Sequence, residues 1–291
     1  MQGPVTDGSA VSRELVMSPA AFGRISRILN EVSGISLQET KESLVYSRLA
    51  KRIRALRMSS FEEYCDHISS DHGEEERGEL LSALTTNVTR FFREPHHFAD
   101  LTKAVLEPIK ARPSGRRVRI WSAACSSGEE PYSIAMTVLE TLPRAHEMDV
   151  RILATDIDPK VVARGEAGIY PAATVTPLSD RQRESFLISS GDHWELRSEP
   201  RALIRFARLN LMERFPMQGK FDAIFCRNVA IYFDKPTQES LWQRLVDQLH
   251  PGGRLYIGHS ERISGPALDR LDLAGVTTYS VRDHRPAKER V

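Results

Sequence analysis

Cysteine is scarce in this chain: 3 residues in 291, Cys65, Cys125 and Cys226, odd in number and nowhere in a CxxC pair. This excludes a disulfide framework and a cysteine-built zinc or redox centre, and makes a reducing cytoplasm the expected compartment. A dominant charge is lacking too. Lysine plus arginine (40) nearly balance aspartate plus glutamate (39), so no global field favours nucleic acid or a membrane surface and electrostatic recognition must be local. No segment approaches the roughly 18 unbroken apolar residues of a membrane span, and the start MQGPVTDGSAVSREL has no basic stretch leading into an apolar one. Neither export nor membrane insertion is expected. The glycine patterns GxGxxG and GxxxxGK[ST] are also missing, which removes the usual dinucleotide and triphosphate cradles. What is present is 41% hydrophobic residues against 27% charged, enough to bury one large or two modest cores without a metal or disulfide staple.

Residues 1–16 mix Gly, Pro, Ser and Asp without period and read as a flexible tail. Ser18 before Pro19 signals a helix start, and Phe22, Ile25, Ile28, Leu29 and Val32 recur at helical spacing until Gly34. Leu44, Leu49, Ile53 and Leu56 form a second stripe, on a helix whose other faces carry Arg48, Lys51, Arg52, Arg54 and Arg57. Ser60 with Glu63 predicts a capping box ahead of Phe61, Tyr64 and Ile68, and an acidic loop or helix start over 71–76 precedes Leu80, Leu81 and Leu84. A small helical domain over 17–79 is expected. Beyond the turn-rich ARPSGRR at 111–117 the pattern changes. Strands over 118–123, 149–155, 203–211, 221–226, 254–260 and 276–282 alternate with helices over 130–142, 159–168 and 236–250. That alternation predicts an α/β domain over 80–291 on a mostly parallel sheet, with ligands at the strand C-terminal ends. Between 178 and 208 it lapses, and short strands around Gly191 and Pro200 predict a small antiparallel insertion.

The chemistry gathers at strand ends. In IWSAACSSGEEPYS (120–133) a buried strand ends in small residues and opens a helix carrying Glu129 and Glu130, a loop that admits close backbone approach but repels a pyrophosphate. Asp156 in ATDIDP stands where a nucleoside-binding α/β fold puts the carboxylate that receives ribose hydroxyls, although Asp156 and Asp158 would also serve merely to cap the next helix. A nucleoside without phosphates fits best, and S-adenosylmethionine (SAM) is the common one. FDAIFCRNVAIYF (221–233) delivers Arg227, Asn228 and Tyr232, and HPGGRLYIGHSE (250–261) turns through glycines into another strand. His96 and His97 are adjacent, so on a helix they point about 100° apart and do not easily share a metal; no metal site is expected. Trp121, Trp194 and Trp242 form no ladder and suit core or interface packing.

TNVTRFFREPHHF (86–98) is the most specific string. With SAACSSGEEPYSIA, ATDIDP, LNL, FCRNVAIYF and GHSE, it resembles the CheR-type chemotaxis receptor methyltransferases, over nearly the whole chain from about Ser18 to Val281. The resemblance implies a Rossmann-like SAM-dependent methyltransferase domain with an antiparallel last strand, a β-subdomain at the insertion and an N-terminal helical domain. It further implies methylation of glutamate side chains on the cytoplasmic helical region of chemoreceptors, yielding glutamyl methyl esters and S-adenosylhomocysteine (SAH). Carried over by residue, SAM contacts would fall on Asn87, Thr89, Arg93, Glu130, Asp156, Asn210, Leu211, Arg227 and Asn228. Arg93 and Tyr232 would shape the transfer site, and Cys125 would only fill space. Arg48, Lys51, Arg52, Arg54 and Arg57 would dock the acidic substrate, although a charged helix face is ordinarily just solvated. The β-subdomain would capture a receptor C-terminal peptide by strand addition in some members. Three other readings stay open on sequence: a methyltransferase for RNA or a small molecule, a non-catalytic SAM-binding receptor adaptor, and, weakest for want of glycines, a nicotinamide dehydrogenase.

Overall fold

A computed structural model describes residues 15–85, 87–111 and 117–283. The chain divides into two compact units, Met1–Val32 with Ser36–Thr85, and Ser33–Ile35 with Thr86–Val291. The first 14 residues of the expected tail lie outside the described residues, but Leu15 and Met17 are buried, so packing begins ahead of Ser18.

Four helices build the first unit: α1 (Pro19–Ser33), α2 (Glu42–Ala55), α3 (Phe61–Ser69) and α4 (Glu74–Leu84). Ser18 Oγ accepts from the Ala21 amide at the start of α1, satisfying one of the donors that a helix N-terminus leaves over. Phe22, Ile25 and Leu29 from α1, Val45, Leu49 and Ile53 from α2, and Phe61 and Tyr64 from α3 are buried, each full burial worth about 1.5–3 kcal/mol. Leu44, expected in that stripe, is exposed while Val45 takes the buried position. At α3 only half of the expected capping box forms. Ser60 Oγ accepts from the Glu63 amide, but the Glu63 carboxylate turns to the amide and hydroxyl of Ser59. α4 runs straight through the expected boundary at 79/80, because Leu80, Leu81 and Leu84 are buried on it and the helix ends only after them.

In the second unit the first strand, β1 (Arg117–Ala123), follows three short helical pieces, α5 (His96–Asp100), a wider π turn over 101–106, and α6 (Glu107–Lys110). Then come α7 (Glu129–Thr141), β2 (Asp149–Asp156), α8 (Pro159–Ala167), β3 (Ile169–Pro171), α9 (Asp180–Phe186), β4 (Leu187–Ser190), β5 (His193–Leu196), α10 (Ser198–Ala202) and β6 (Ile204–Arg208). β7 (Phe221–Cys226), α11 (Lys235–Asp247), β8 (Leu249–Ile257), β9 (Leu271–Gly275) and β10 (Thr278–Val281) complete it. Seven strands form one sheet in the order β6-β2-β1-β7-β8-β10-β9, parallel from β6 to β8, with β10 antiparallel to both β8 and β9. Side chains alternate across it. Val118 and Ile120 of β1 pack with Ile134, Ala135 and Val138 of α7, whereas Trp121 and Ala123 pack with Leu241, Trp242 and Leu245 of α11. Trp121 and Trp242 are thus core residues.

Two expectations need adjustment. The small antiparallel sheet, ordered β3-β5-β4, begins at Ile169 and not at 178, and its last strand ends at Leu196. β6, placed within the expected insertion at 178–208, is instead an edge strand of the large sheet, running parallel to β2 from Ile152↔Ile204 to Asp156↔Arg208. β3 escaped because it is only three residues long, following a helix-ending glycine and ending in Pro171. The final segment is a hairpin of β9 and β10, where a single strand over 276–282 was expected.

Candidate active site

The chain lays strands outward from β1 to β2 and β6, then returns to the other side of β1 with β7 and β8, so the order reverses between β1 and β7. Beyond the C-terminal ends of strands at such a reversal lies the crevice where open α/β sheets hold ligands. Register makes the ends coincide: Ala123 pairs with Thr155 on one side and Cys226 on the other, and Cys226 with Ile257. The loops after β1, β2, β7 and β8 therefore start from one row.

After β1 the loop turns sharply through Ala124 (φ 64°), Ser126 (φ 49°) and Gly128 (φ 98°) into α7. At Gly128 a Cβ would come within 2.8 Å of the Gly165 Cα and the Tyr170 Oη, so both the backbone angle and the space demand glycine. The Cys125 amide donates to the Thr155 carbonyl at 2.8 Å, tying this loop to β2. Cys125 itself is buried with its thiol pushed up, consistent with space-filling.

Asp156 and Asp158 separate cleanly. Asp158 caps α8, accepting from the Lys160 amide at 2.9 Å, whereas Asp156 caps nothing. Its Oδ2 accepts from the Ser126 amide at 2.8 Å and its Oδ1 from the Asp158 amide at 3.1 Å. Each oxygen keeps acceptor capacity for a ribose hydroxyl. Burial raises this carboxyl, and the amides of Asp158 and Ser126 pull against that rise. Asn87 joins the group through its carbonyl, which accepts from Ser126 Oγ at 3.0 Å, and its side-chain amide, 3.4 Å from Asp158 Oδ2. Leu209 donates from its amide to the Asp156 carbonyl, bringing LNL alongside. The Asn210 side chain accepts from the Met212 amide, and Leu211 is buried in the core, so a ligand contact from this pair would come through backbone.

A second cluster forms around Arg227, which is 6% exposed. Its guanidinium donates to Glu130 Oε2 at 3.0 Å and to the Arg93 carbonyl, and lies 3.4 Å from Glu94 Oε2. Glu130 Oε1 also accepts from Ser122 Oγ at 2.7 Å. Burial raises the Glu130 carboxyl against the pull of Arg227; at Glu94 burial also pushes up, but Arg227 and His259 outweigh it and hold that carboxyl low. Arg227 thus pins the Phe91–Glu94 turn, with Phe92 (φ 50°) and Glu94 (φ 58°) both left-handed, to the ends of β1 and β7. Nη1 and Nη2 of Arg227 are engaged by two carboxylates and a carbonyl, while its buried Nε has no hydrogen-bond partner. Arg93 differs. Half-buried, it donates to the Val88 carbonyl at 3.1 Å and makes no ion pair among the described residues.

Asn228 (φ 58°) follows Arg227, and Tyr232 ends the short turn Ala230–Tyr232, half-buried against the apolar core. Thr89 is half-buried in the segment leading to Arg93. His96 and His97 converge, contrary to their expected divergence, because the helix only begins at His96: their rings are 4.2 Å apart and both Nε2 atoms face Thr277 Oγ1, at 3.5 and 2.9 Å. With Glu94 they form a compact trio of possible metal ligands, yet Arg227 already neutralises Glu94. Burial pushes the His97 imidazole from 6.5 down to about 3, helped by Arg227 and His96 and opposed by Glu94. The unfolded chain therefore binds this proton first, and stability falls as pH drops from about 6.5 toward 3. Replacing His97 with Phe is expected to shrink the stability difference between pH 7 and pH 5 by up to roughly 2 kcal/mol, read by urea unfolding.

The first unit holds a further departure. Arg48 Nη1 donates to the carbonyls of Ala83, Leu84 and Thr85 at 3.0–3.2 Å, capping the C-terminus of α4. Arg52 grips Glu76 through Nε and Nη2, at 2.6–3.0 Å, and reaches Glu79 at 3.2 Å, while the Tyr64 hydroxyl also donates to Glu76. These two arginines hold helices together. Lys51, Arg54 and Arg57 remain exposed.

A parallel sheet with a reversed terminal hairpin, a glycine-poor first loop flanked by carboxylates that disfavour phosphate, and a buried carboxylate, Asp156, at the end of β2 together make the arrangement expected of a SAM-dependent methyltransferase. Residues 87–279 match the family model "CheR methyltransferase, SAM binding domain", and residues 20–85 match "CheR methyltransferase, all-alpha domain". The chain belongs to the CheR methyltransferase family. It is 51% identical to a "Probable chemotaxis protein methyltransferase" of Rhizobium etli, over 85% of this chain and 94% of that protein. It is 44% identical to "Chemotaxis protein methyltransferase 2" of Pseudomonas aeruginosa, over 89% and 92%. With the "Chemotaxis protein methyltransferase" of Salmonella typhimurium identity is 39% over 93% of each chain. SAM is the cofactor, bound by the domain over residues 87–279. No helix among the described residues is long and apolar enough to cross a membrane.

Proposed function

We propose that this chain is a protein-glutamate O-methyltransferase, moving the methyl group of SAM onto glutamate side chains in the cytoplasmic helical region of chemoreceptors. Arg93 is the observation that carries this reading: a half-buried cation without an ion-pair partner among the described residues, in a site whose other cation, Arg227, is held by carboxylates. An anionic acceptor suits such a site. Bound SAM supplies an electrophilic methyl on sulfur. The acceptor glutamate, already ionised at neutral pH, attacks with a carboxylate oxygen, so no strong base is needed. The new C–O bond forms as the C–S bond breaks, its electron pair stays on sulfur, and the products are a neutral ester and SAH.

The protein's work is orientation. Asp156 holds the ribose, Glu130 and Arg227 brace the strand ends, Asn87, Thr89 and the backbone of Asn210 and Leu211 line the nucleoside, and Asn228 faces the methionine end. Arg93 and Tyr232 align the acceptor and exclude water, so proximity and fixed charge supply most of the rate. Each transfer removes one negative charge from a receptor helix, relieving like-charge repulsion along it. The reaction takes place in the cytoplasm, with the enzyme recruited to membrane-bound receptors.

Incubation with methyl-labelled SAM and receptor-bearing membranes tests the reading: alkali is expected to release the label as methanol. Label stable to alkali, or SAH binding without any transfer, would replace the alkali-labile ester with another acceptor or an adaptor role. For docking, the exposed Lys51, Arg54 and Arg57 provide the steering charge. Reversing Arg54 and Arg57 to Glu together is expected to raise the KM for receptor roughly 10-fold or more, with SAH affinity unchanged. Arg48→Ala and Arg52→Ala should chiefly lower thermal stability. On the small sheet, β4 presents an open edge with Ile188 half exposed, which suits strand addition by a receptor C-terminal peptide.

A further inference from the structure

Glu261 is 3% exposed, and no cation pairs with it among the described residues. Its carboxylate instead collects four backbone amides: Val229 and Ala230 donate to Oε1 at 2.9 and 2.8 Å, and Asn228, at 2.9 Å, and Gly258 donate to Oε2. Three of those amides belong to the turn that carries Asn228 and leads to Tyr232, a turn outside the sheet ladder whose first residue is left-handed at φ 58°. Buried amides need partners, and a non-glycine left-handed residue costs free energy unless its surroundings fix it. Glu261 meets both needs.

Gly258 supplies an independent observation. A Cβ there would lie 2.4 Å from the Asn228 Nδ2, 2.9 Å from its Cγ and 2.9 Å from its amide nitrogen. The Asn228 side chain therefore occupies the space that any other residue at 258 would fill. Gly258 is not left-handed, and the three atoms nearest to such a Cβ all belong to Asn228.

We propose that the turn Gly258–Glu261 is a mould for Asn228: Glu261 is a positioning residue that sets the backbone of the Asn228 turn, and Gly258 is the gap that seats the Asn228 side chain. Both act on methyl transfer through Asn228 and touch neither cofactor nor acceptor themselves. The inference rests on the reading that Asn228 faces the methionine end of SAM, and it adds which residues put it there.

The test compares Glu261→Gln, Gly258→Ala, Asn228→Ala and the two double variants with Asn228→Ala. Calorimetric SAH titration, steady-state label transfer to receptor membranes and thermal melting are the readouts. Each single variant is expected to weaken SAH binding or lower kcat about 10-fold or more, the size of one or two lost oriented hydrogen bonds. Adding Glu261→Gln to Asn228→Ala should change neither quantity by more than about threefold, because interactions routed through one residue do not add, and Gly258→Ala, whose Cβ also meets the backbone nitrogen of residue 228, should cost less there than in the wild type. Should the losses multiply in the doubles, or should the single variants lower only the melting temperature while folded protein binds SAH and turns over normally, the mould is overturned. If Asn228→Ala alone is silent while Glu261→Gln and Gly258→Ala lose activity, the assignment of Asn228 fails, an outcome distinct from the others. Gly258→Ala keeps the test alive if Glu261→Gln does not fold.

Discussion

Replacing Asp156 with alanine is expected to weaken SAH binding roughly 100-fold, since two hydrogen bonds from ribose hydroxyls to a buried carboxylate are lost at about 1.5 kcal/mol or more each. The carboxylate is oriented for this before any ligand arrives. Its two amide donors, Ser126 and Asp158, come from the loop after β1 and from its own loop, so each oxygen is already aimed and little ordering is left for the ligand to induce. Asp156→Asn keeps one acceptor oxygen and should fall between the alanine variant and wild type. Because the ribose is remote from the bond being made, kcat at saturating SAM should change far less than SAH affinity. Calorimetric titration reads the first quantity and label transfer the second. An unchanged affinity in Asp156→Ala would remove the ribose assignment.

Arg227→Met should produce the largest loss of stability among the site variants, about 3–5 kcal/mol, because it strands Glu94 and Glu130 together without their shared cation. In a unit of this size that is a fall in melting temperature on the order of 10 °C. The pH dependence distinguishes stranded charge from lost packing. Without Arg227 the folded-state carboxyls rise above their unfolded values, so the folded form is favoured when they are protonated and loses that advantage as pH rises. The gap between variant and wild type is therefore expected to narrow on going from pH 7 to pH 5. A gap that stays constant over that range would mean that Arg227 matters for its volume and not its charge.

Most strand ends of the α/β unit were readable because β1, β2 and β7 are short apolar runs bounded by turn residues, and Asp156 could be placed since it directly ends one of them. What sequence could not show is which partners a charge finds. Nothing in CRN foretold that Arg227 would meet Glu130 and the Arg93 carbonyl, 97 and 134 residues away. Arg48 and Arg52 look like parts of one basic face, since helical spacing reports direction and not what waits there; α4 was legible as an acidic loop or helix start followed by Leu80, Leu81 and Leu84, with nothing to show which cation Glu76 would meet. Glu261 lies in GHSE without a role legible from sequence, and the one available signal was a glutamate closing a glycine turn after the buried apolar end of a strand. β3 and β9 were missed because three residues, or a strand with Leu273 largely exposed, leave too little periodicity to detect.

The common starting row of the site loops has an evolutionary consequence. Adding or deleting one residue within β1, β7 or β8 would slide that strand's loop by about 3.3 Å and turn its side chains to the opposite face, dismantling core and crevice in a single event. Length variation is thereby pushed outward, into the segments between strands. The small sheet of β3, β4 and β5 lies in such a segment, between α8 and β6. Lineages can lengthen, trim or exchange it while the row of strand ends around the crevice is inherited unaltered.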